Sequence, residues 1–153
     1  MMKFSILAIA LLFSSSTISV CHAQHVITDE QAIQALRQFY ISYLKYSWDG
    51  KESDKKMDSL LIRYSTPRLT KQLKEQDEQG YDFFTNVTGS DIDWLKTLNV
   101  SKDKTTKDVY VVSWVYQYFP GENKKPEINT IKLQLIKTPT GILIDQIVDR
   151  AIK

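Results

Sequence analysis

Reactive side chains are scarce in this 153-residue chain, which has one cysteine, Cys21, and two histidines, His22 and His25. With no second cysteine there is no disulfide within the chain, so the fold must hold by packing. A Ser-His-Asp triad, a Cys-His pair and a zinc site built from His or Cys are excluded from everything beyond residue 25. No phosphate-binding glycine loop, EF-hand spacing, paired-histidine helix or nucleophile elbow occurs. Charge of one sign is lacking too. After Lys3, 19 Lys and Arg face 18 Asp and Glu, and the signs are interspersed, as where Lys51, Lys55 and Lys56 alternate with Glu52, Asp54 and Asp58. Nucleic-acid binding calls for a basic stripe or a recognisable motif, and neither is present. No cofactor and no metal is expected.

Long hydrophobic runs are limited to one, at residues 4–13 behind the single positive charge of Lys3. A run of about ten residues, apolar but for Ser5, is too short to span a hydrocarbon core of roughly 30 Å. A weakly polar stretch follows and ends in Cys21-His22-Ala23, which completes the pattern of a secretory signal peptide over residues 1–23. Val20 stands where a lipidation site needs a small residue, so cleavage after Ala23 is expected rather than lipid attachment at Cys21. The product is residues 24–153, the size of one domain with a modest core and no stable membrane insertion. The expected compartment is the periplasm.

Within that domain the first segments read as helices. Thr28 is an N-cap and Gln31 completes a capping box. Ile33, Leu36, Tyr40, Tyr43 and Ser47 then recur at spacings of three and four, widened by Phe39 and Leu44, which makes an amphipathic helix with an aromatic face. Asp49-Gly50 ends it. A second helix is expected over residues 54–64, burying Met57, Leu60 and Leu61. Thr66-Pro67 starts a third, with Leu69 and Leu73 as its apolar stripe and Gly80 at its close. Residues 81–93 have no clean period and read as an ordered loop with one helical turn. The spacing then predicts a strand from Leu95 to Leu98 and Val100, an aromatic strand over 109–119, and two more over 128–136 and 142–148. Helices followed by turn-linked strands give an α+β class with an antiparallel sheet of three to four strands. In the aromatic strand Tyr110, Val112, Trp114, Tyr116 and Tyr118 share one face.

The carboxylates are the remaining acid–base candidates. Asp82 lies in the irregular loop and Asp145 in the last strand, where alternation places it with Leu143 and Ile147. A carboxylate pair can do glycoside-type acid–base work when its separation and burial suit. Tyr43, Tyr81 and Trp114 come from the three aromatic clusters, and Tyr and Trp suit sites that are half apolar and half wet. Asp82, Asp145, Tyr43, Tyr81 and Trp114 are therefore the candidate ligand-binding residues.

These segments together resemble the DUF3828 family of small exported bacterial proteins, within the NTF2-like (cystatin-like) group. The likeness is carried by Phe39-Tyr40-Ile41-Ser42-Tyr43-Leu44, by the stretch from Leu60 to Leu69, by Tyr81-Asp82-Phe83-Phe84, by Asp93-Trp94-Leu95, and by the strands around Leu133 and Ile144. It implies helices packed on a strongly curved sheet, with a cavity between them and no established reaction. Asp82 is the polar position it carries over, with Asp145 second. The functional expectation is a non-catalytic binding or interaction domain for a protein or small molecule, one form of which is a periplasmic immunity or inhibitor protein. The alternative is a carboxylate-dependent, hydrolase-like enzyme using Asp82 or Asp145. The exported protein should begin at Gln24 with no added acyl mass. Intact-mass spectrometry checks this, and a lipid-bearing Cys21 terminus would contradict it.

Overall fold

The structure is a computed structural model that describes residues 27–49, 54–76, 82–117 and 125–152. The leader, Cys21, His25, Gly50, Gly80, Tyr81 and Tyr118 lie outside the described residues. Three helices come first: α1 (Asp29–Asp49), α2 (Asp54–Tyr64) and α3 (Pro67–Gln76). A short 3-10 helix (Ile92–Lys96) leads into β1 (Asn99–Lys102), β2 (Val109–Tyr116), β3 (Glu127–Thr138) and β4 (Gly141–Ile152). The strands form one antiparallel sheet in the order β1-β2-β3-β4. This is the α+β arrangement expected from the sequence.

The helix starts follow their local chemistry. Thr28 N–H donates to Gln31 Oε1 at 2.9 Å, and Gln31 N–H donates back to Thr28 Oγ1 at 3.2 Å, a reciprocal capping box. Thr66 Oγ1 accepts from Leu69 N–H at 3.3 Å, with Pro67 at the first helical position. The predicted strand at Leu95–Leu98 is not formed. Asp91 instead accepts from Asp93 N–H at 2.8 Å and caps the 3-10 helix, whose buried Trp94 anchors it. The first strand is thus confined to β1.

The aromatic face of β2 points at the helices. Tyr110, Val112 and Trp114 are all buried there, beside Ile131, Leu133 and Leu135 of β3. From α1, Phe39 meets Phe84 edge-on at 5.0 Å between centroids, and Tyr40 meets Trp114 at 6.0 Å. Trp94 stacks on Trp114 at 5.7 Å. Such rings each remove a large apolar area from water, and pairing adds about 0.5–1.5 kcal/mol beyond burial.

β4 breaks the expected alternation. Leu133 pairs with Ile147 and Gln134 with Gln146, but Leu135 pairs with Ile144, so Asp145 is an extra residue in a bulge. Val148 is a second, between the pairs Lys132–Asp149 and Leu133–Ile147. Strict alternation from Ile144 would turn Gln146 inward and Ile147 outward. The first bulge returns Ile147 to the core side, where it packs against the core, and the second restores the original phase, placing Arg150 beside Ile131. Asp145 therefore does not share a face with Leu143 and Ile147 in the way period-two counting implies. Bulges also bend a strand and increase its twist, which curves the sheet around the helices.

Asp29 ties the start of α1 to three strands. It accepts from Lys102 of β1, Lys137 of β3 and, at 2.7 Å, the Tyr110 hydroxyl of β2. Those partners, Lys102 first, hold its carboxyl well below the usual carboxylate range. Such a group stabilises the fold above its unfolded pKa of about 3.9 and loses that contribution as pH falls further. Asp29→Asn should accordingly flatten the acid limb of stability below about pH 4, read by urea unfolding at several pH values. An unchanged limb would contradict the linkage. In the core, Leu133→Ala should cost about 2–5 kcal/mol by the same measurement.

Candidate functional site

Three helices and one turn enclose a cleft of 550 Å³. Tyr43 of α1 and the segment from Asp82 to Phe84 form one side. Met57, Leu61 and Ile62 of α2 and Thr70, Leu73 and Lys74 of α3 form the other. The wall is mixed: an apolar surface from Met57, Leu61, Leu73 and Phe84, with Asp54, Asp58, Asp82 and Lys74 around it. Helical spacing explains the α2 contribution, since Met57 and Leu61 are four residues apart and Asp54 and Asp58 share the adjoining stripe. A more open groove lies on the far side of Ile62, Thr70 and Lys74, lined also by Ser65, Pro67 and Leu143.

Asp82 is the best-determined polar group of the cleft. Its Oδ1 accepts from Phe84 N–H at 2.8 Å, Thr85 N–H at 3.0 Å and the Tyr43 hydroxyl at 3.0 Å. Asp82 C=O also accepts from Asn86 N–H at 2.9 Å, and Asn86 adopts φ +59°, a left-handed conformation that asparagine tolerates. The carboxylate thus closes its own turn, as short polar side chains do in loops. It also locks that turn to α1 through Tyr43. Burial pushes the Asp82 carboxyl above its ordinary value, against the downward pull of the Tyr43 hydroxyl and the turn amides. The sign is opposite to that of Asp29: ionising Asp82 as pH rises costs the folded state.

Of the candidates named from sequence, the structure brings Tyr43 and Asp82 together. Tyr81 lies outside the described residues. Trp114 is 1% exposed, in the core behind the cleft and not on its wall. Asp145 is elsewhere, at the junction of β4 and α3. It accepts from Arg68 at 2.7 Å and from the Thr66 hydroxyl at 3.0 Å, while Thr66 N–H donates to Ile144 C=O at 2.9 Å. The Arg68–Asp145 pair has one largely exposed partner, and such pairs contribute about 0–1 kcal/mol. The bulge at Asp145 thus pins α3 to the edge of the sheet. Asp82 and Asp145 do not form a catalytic carboxylate pair.

Met57, Leu61 and Leu73 are cleft residues that the sequence reading placed on apolar helix stripes, Asp54 and Asp58 are ones it read as part of interspersed, solvated charge, and Lys74 is one it did not single out. Their signal was present only as amphipathic stripes, which look alike whether they cover a core or line an opening. Among the described residues, no group of His, Cys, Asp and Glu is arranged to hold a metal ion. No described helix is long and apolar enough to cross a membrane.

No family model matches the chain, and no curated protein matches it. It is similar to a crystal structure of a protein of unknown function from Bacteroides thetaiotaomicron VPI-5482, with a TM-score of 0.67 and 20% identity, covering 79% of this chain and 91% of that one. The likeness is one of fold. It sets the chain beside an uncharacterised bacterial protein with the same helices-on-sheet architecture.

The two roles of Asp82 separate by mutation. Asp82→Ala removes the acceptor for two turn amides and should cost about 1–2 kcal/mol. Asp82→Asn keeps an acceptor at Oδ1 and should cost clearly less. Chemical denaturation of both variants checks this, and equal losses would contradict the turn-closing role.

Proposed function

We propose that this chain is an exported, non-catalytic binding domain whose ligand occupies the cleft between α1, α2 and α3. The DUF3828-like, NTF2-like assignment belongs to the same reading, supported by the order of helices and curved sheet. The observation that carries the function is the placement of the Asp82 carboxylate, half-buried and bonded to Tyr43, beside the apolar surface of Met57, Leu61, Leu73 and Phe84. The Tyr43 hydroxyl and the Phe84 and Thr85 amides bond Oδ1, and the Thr85 side chain adds a further hydrogen bond to the carboxylate, so a ligand amine would meet an acceptor already held in place. With Asp54 and Asp58 against the single Lys74, the cleft suits a compound or side chain with an apolar body and an amine end.

The immunity or inhibitor form of the reading draws less support. A protein-binding face of that kind calls for a contiguous exposed patch, and the exposed large apolar residues are spread over α1 (Trp48), α2 (Ile62), β3 (Ile128 and Ile136) and β4 (Val148 and Ile152). The carboxylate-enzyme alternative rests on one observation, the raised pKa of a half-buried Asp82 beside a tyrosine. A role for that carboxyl as a proton donor would be tested with Asp82→Asn, but the spent Oδ1 and the distant Asp145 favour binding.

Hexylamine, hexanol and hexanoate share one apolar body and differ in the head group. Titrated into the protein and followed by amide NMR shifts, hexylamine should bind tightest and perturb residues around Leu61, Leu73 and Asp82. Asp82→Asn should weaken it about tenfold or more, since a hydrogen bond to a charged group contributes about 1.5–3 kcal/mol. Preference for hexanoate, or indifference to Asp82→Asn, would overturn the reading.

A further inference from the structure

Among the described residues four buried side-chain polar atoms lack a hydrogen-bond partner: Ser65 Oγ beside the β4 edge, and, in the core, the Tyr40 hydroxyl, Trp114 Nε1 and Asn129 Oδ1. The residues of the core three are 0%, 1% and 0% exposed. Several observations put them in one place. Trp114 and Asn129 are directly opposite each other across β2 and β3, on the face turned to the helices. Tyr40 packs its ring on Trp114 at 6.0 Å. The Tyr40 hydroxyl also feels both the Asp82 carboxylate and the Arg150 guanidinium. Asn129 is linked to the neighbourhoods of both groups. Its Nδ2 donates to Thr85 C=O at 2.6 Å, and Thr85 N–H holds Asp82, while Arg150 pairs with Ile131 two residues along β3.

The chemistry of the three atoms is complementary. The bond from Asn129 Nδ2 to Thr85 fixes the amide orientation, so Oδ1 is an acceptor. Trp114 Nε1–H can only donate, and the Tyr40 hydroxyl can do either. Leaving all three unpaired costs more than ordinary hydrogen bonds return, and native interiors satisfy nearly all such groups. We infer that Tyr40, Trp114 and Asn129 form a closed internal site for one water molecule, which accepts from Trp114, donates to Asn129 Oδ1 and bonds the Tyr40 hydroxyl. Three partners is the usual number for a buried water. This water would brace Asn129, and through Thr85 the turn that carries Asp82. The site is separate from the cleft and does not depend on what the cleft binds.

Two measurements on the intact domain test it. In rotating-frame NOE spectra the Trp114 indole proton should show a direct cross-peak to a long-lived water, and its absence overturns the site. The same peak must persist in Tyr40→Phe, because two partners remain. Its disappearance would mean a signal relayed through the exchanging tyrosine hydroxyl, and would also overturn the site. The melting temperature of Tyr40→Phe should fall, because the water loses a partner. An unchanged or raised melting temperature would show that the hydroxyl was unpaired.

Discussion

The packing of the aromatic face of α1 against β2 is the constraint on which the other features depend. Phe39 and Tyr40, adjacent in one turn, and Tyr43, in the next, share the inner face of α1, and each reaches a different partner: Phe84, Trp114 and Asp82. With a single cysteine no disulfide within the chain holds the domain, and these rings pack with the aliphatic row of β3 in one buried cluster. The charged cluster at Asp29 then fixes where α1 begins relative to β1, β2 and β3. One end of the helix is set by ion pairing and its middle by ring packing.

The cleft follows from that arrangement. Because Phe84 is drawn into the core against Phe39 and Tyr43, the turn at Asp82 is held against α1. The residue beside it cannot be solvated freely, and its carboxyl is stabilised by the turn amides and Tyr43. On the other side, α2 and α3 expose Met57, Leu61 and Leu73 toward the same space. At the far end of α3, the Asp145 bulge and the Ser65–Ile144 bridge attach this helix pair to the sheet edge. A bulge and a covering segment are also two ways in which a protein protects an edge strand from unwanted pairing.

Much of the architecture was legible in the sequence because its signals are local. The capping box at Thr28 and Gln31, the Thr66-Pro67 start and the alternating aromatics of β2 each specify structure within a few residues. What escaped was non-local or compensating. The stretch from Leu95 to Leu98 looked like the start of a strand because both ends are apolar, but the side-chain cap from Asp91 and the burial of Trp94 favoured a tight helical turn over Ile92–Lys96. The β4 bulges were invisible because they depend on register with β3. Asp82 was identified as a candidate, and its bond to Tyr43, 39 residues earlier, could be seen only in three dimensions. The remaining cleft residues were hidden by the fact that an apolar stripe reads the same over a core and beside an opening.

The central proposal is that this packing half-buries the Asp82 carboxylate at the cleft and poises it for a cationic ligand. Carbon-13 NMR of its carboxyl group against pH tests that most directly. The account predicts a midpoint above the ordinary value of about 3.9, moving downward when an amine occupies the cleft. A midpoint at or below that value, unmoved by bound amine, would contradict it.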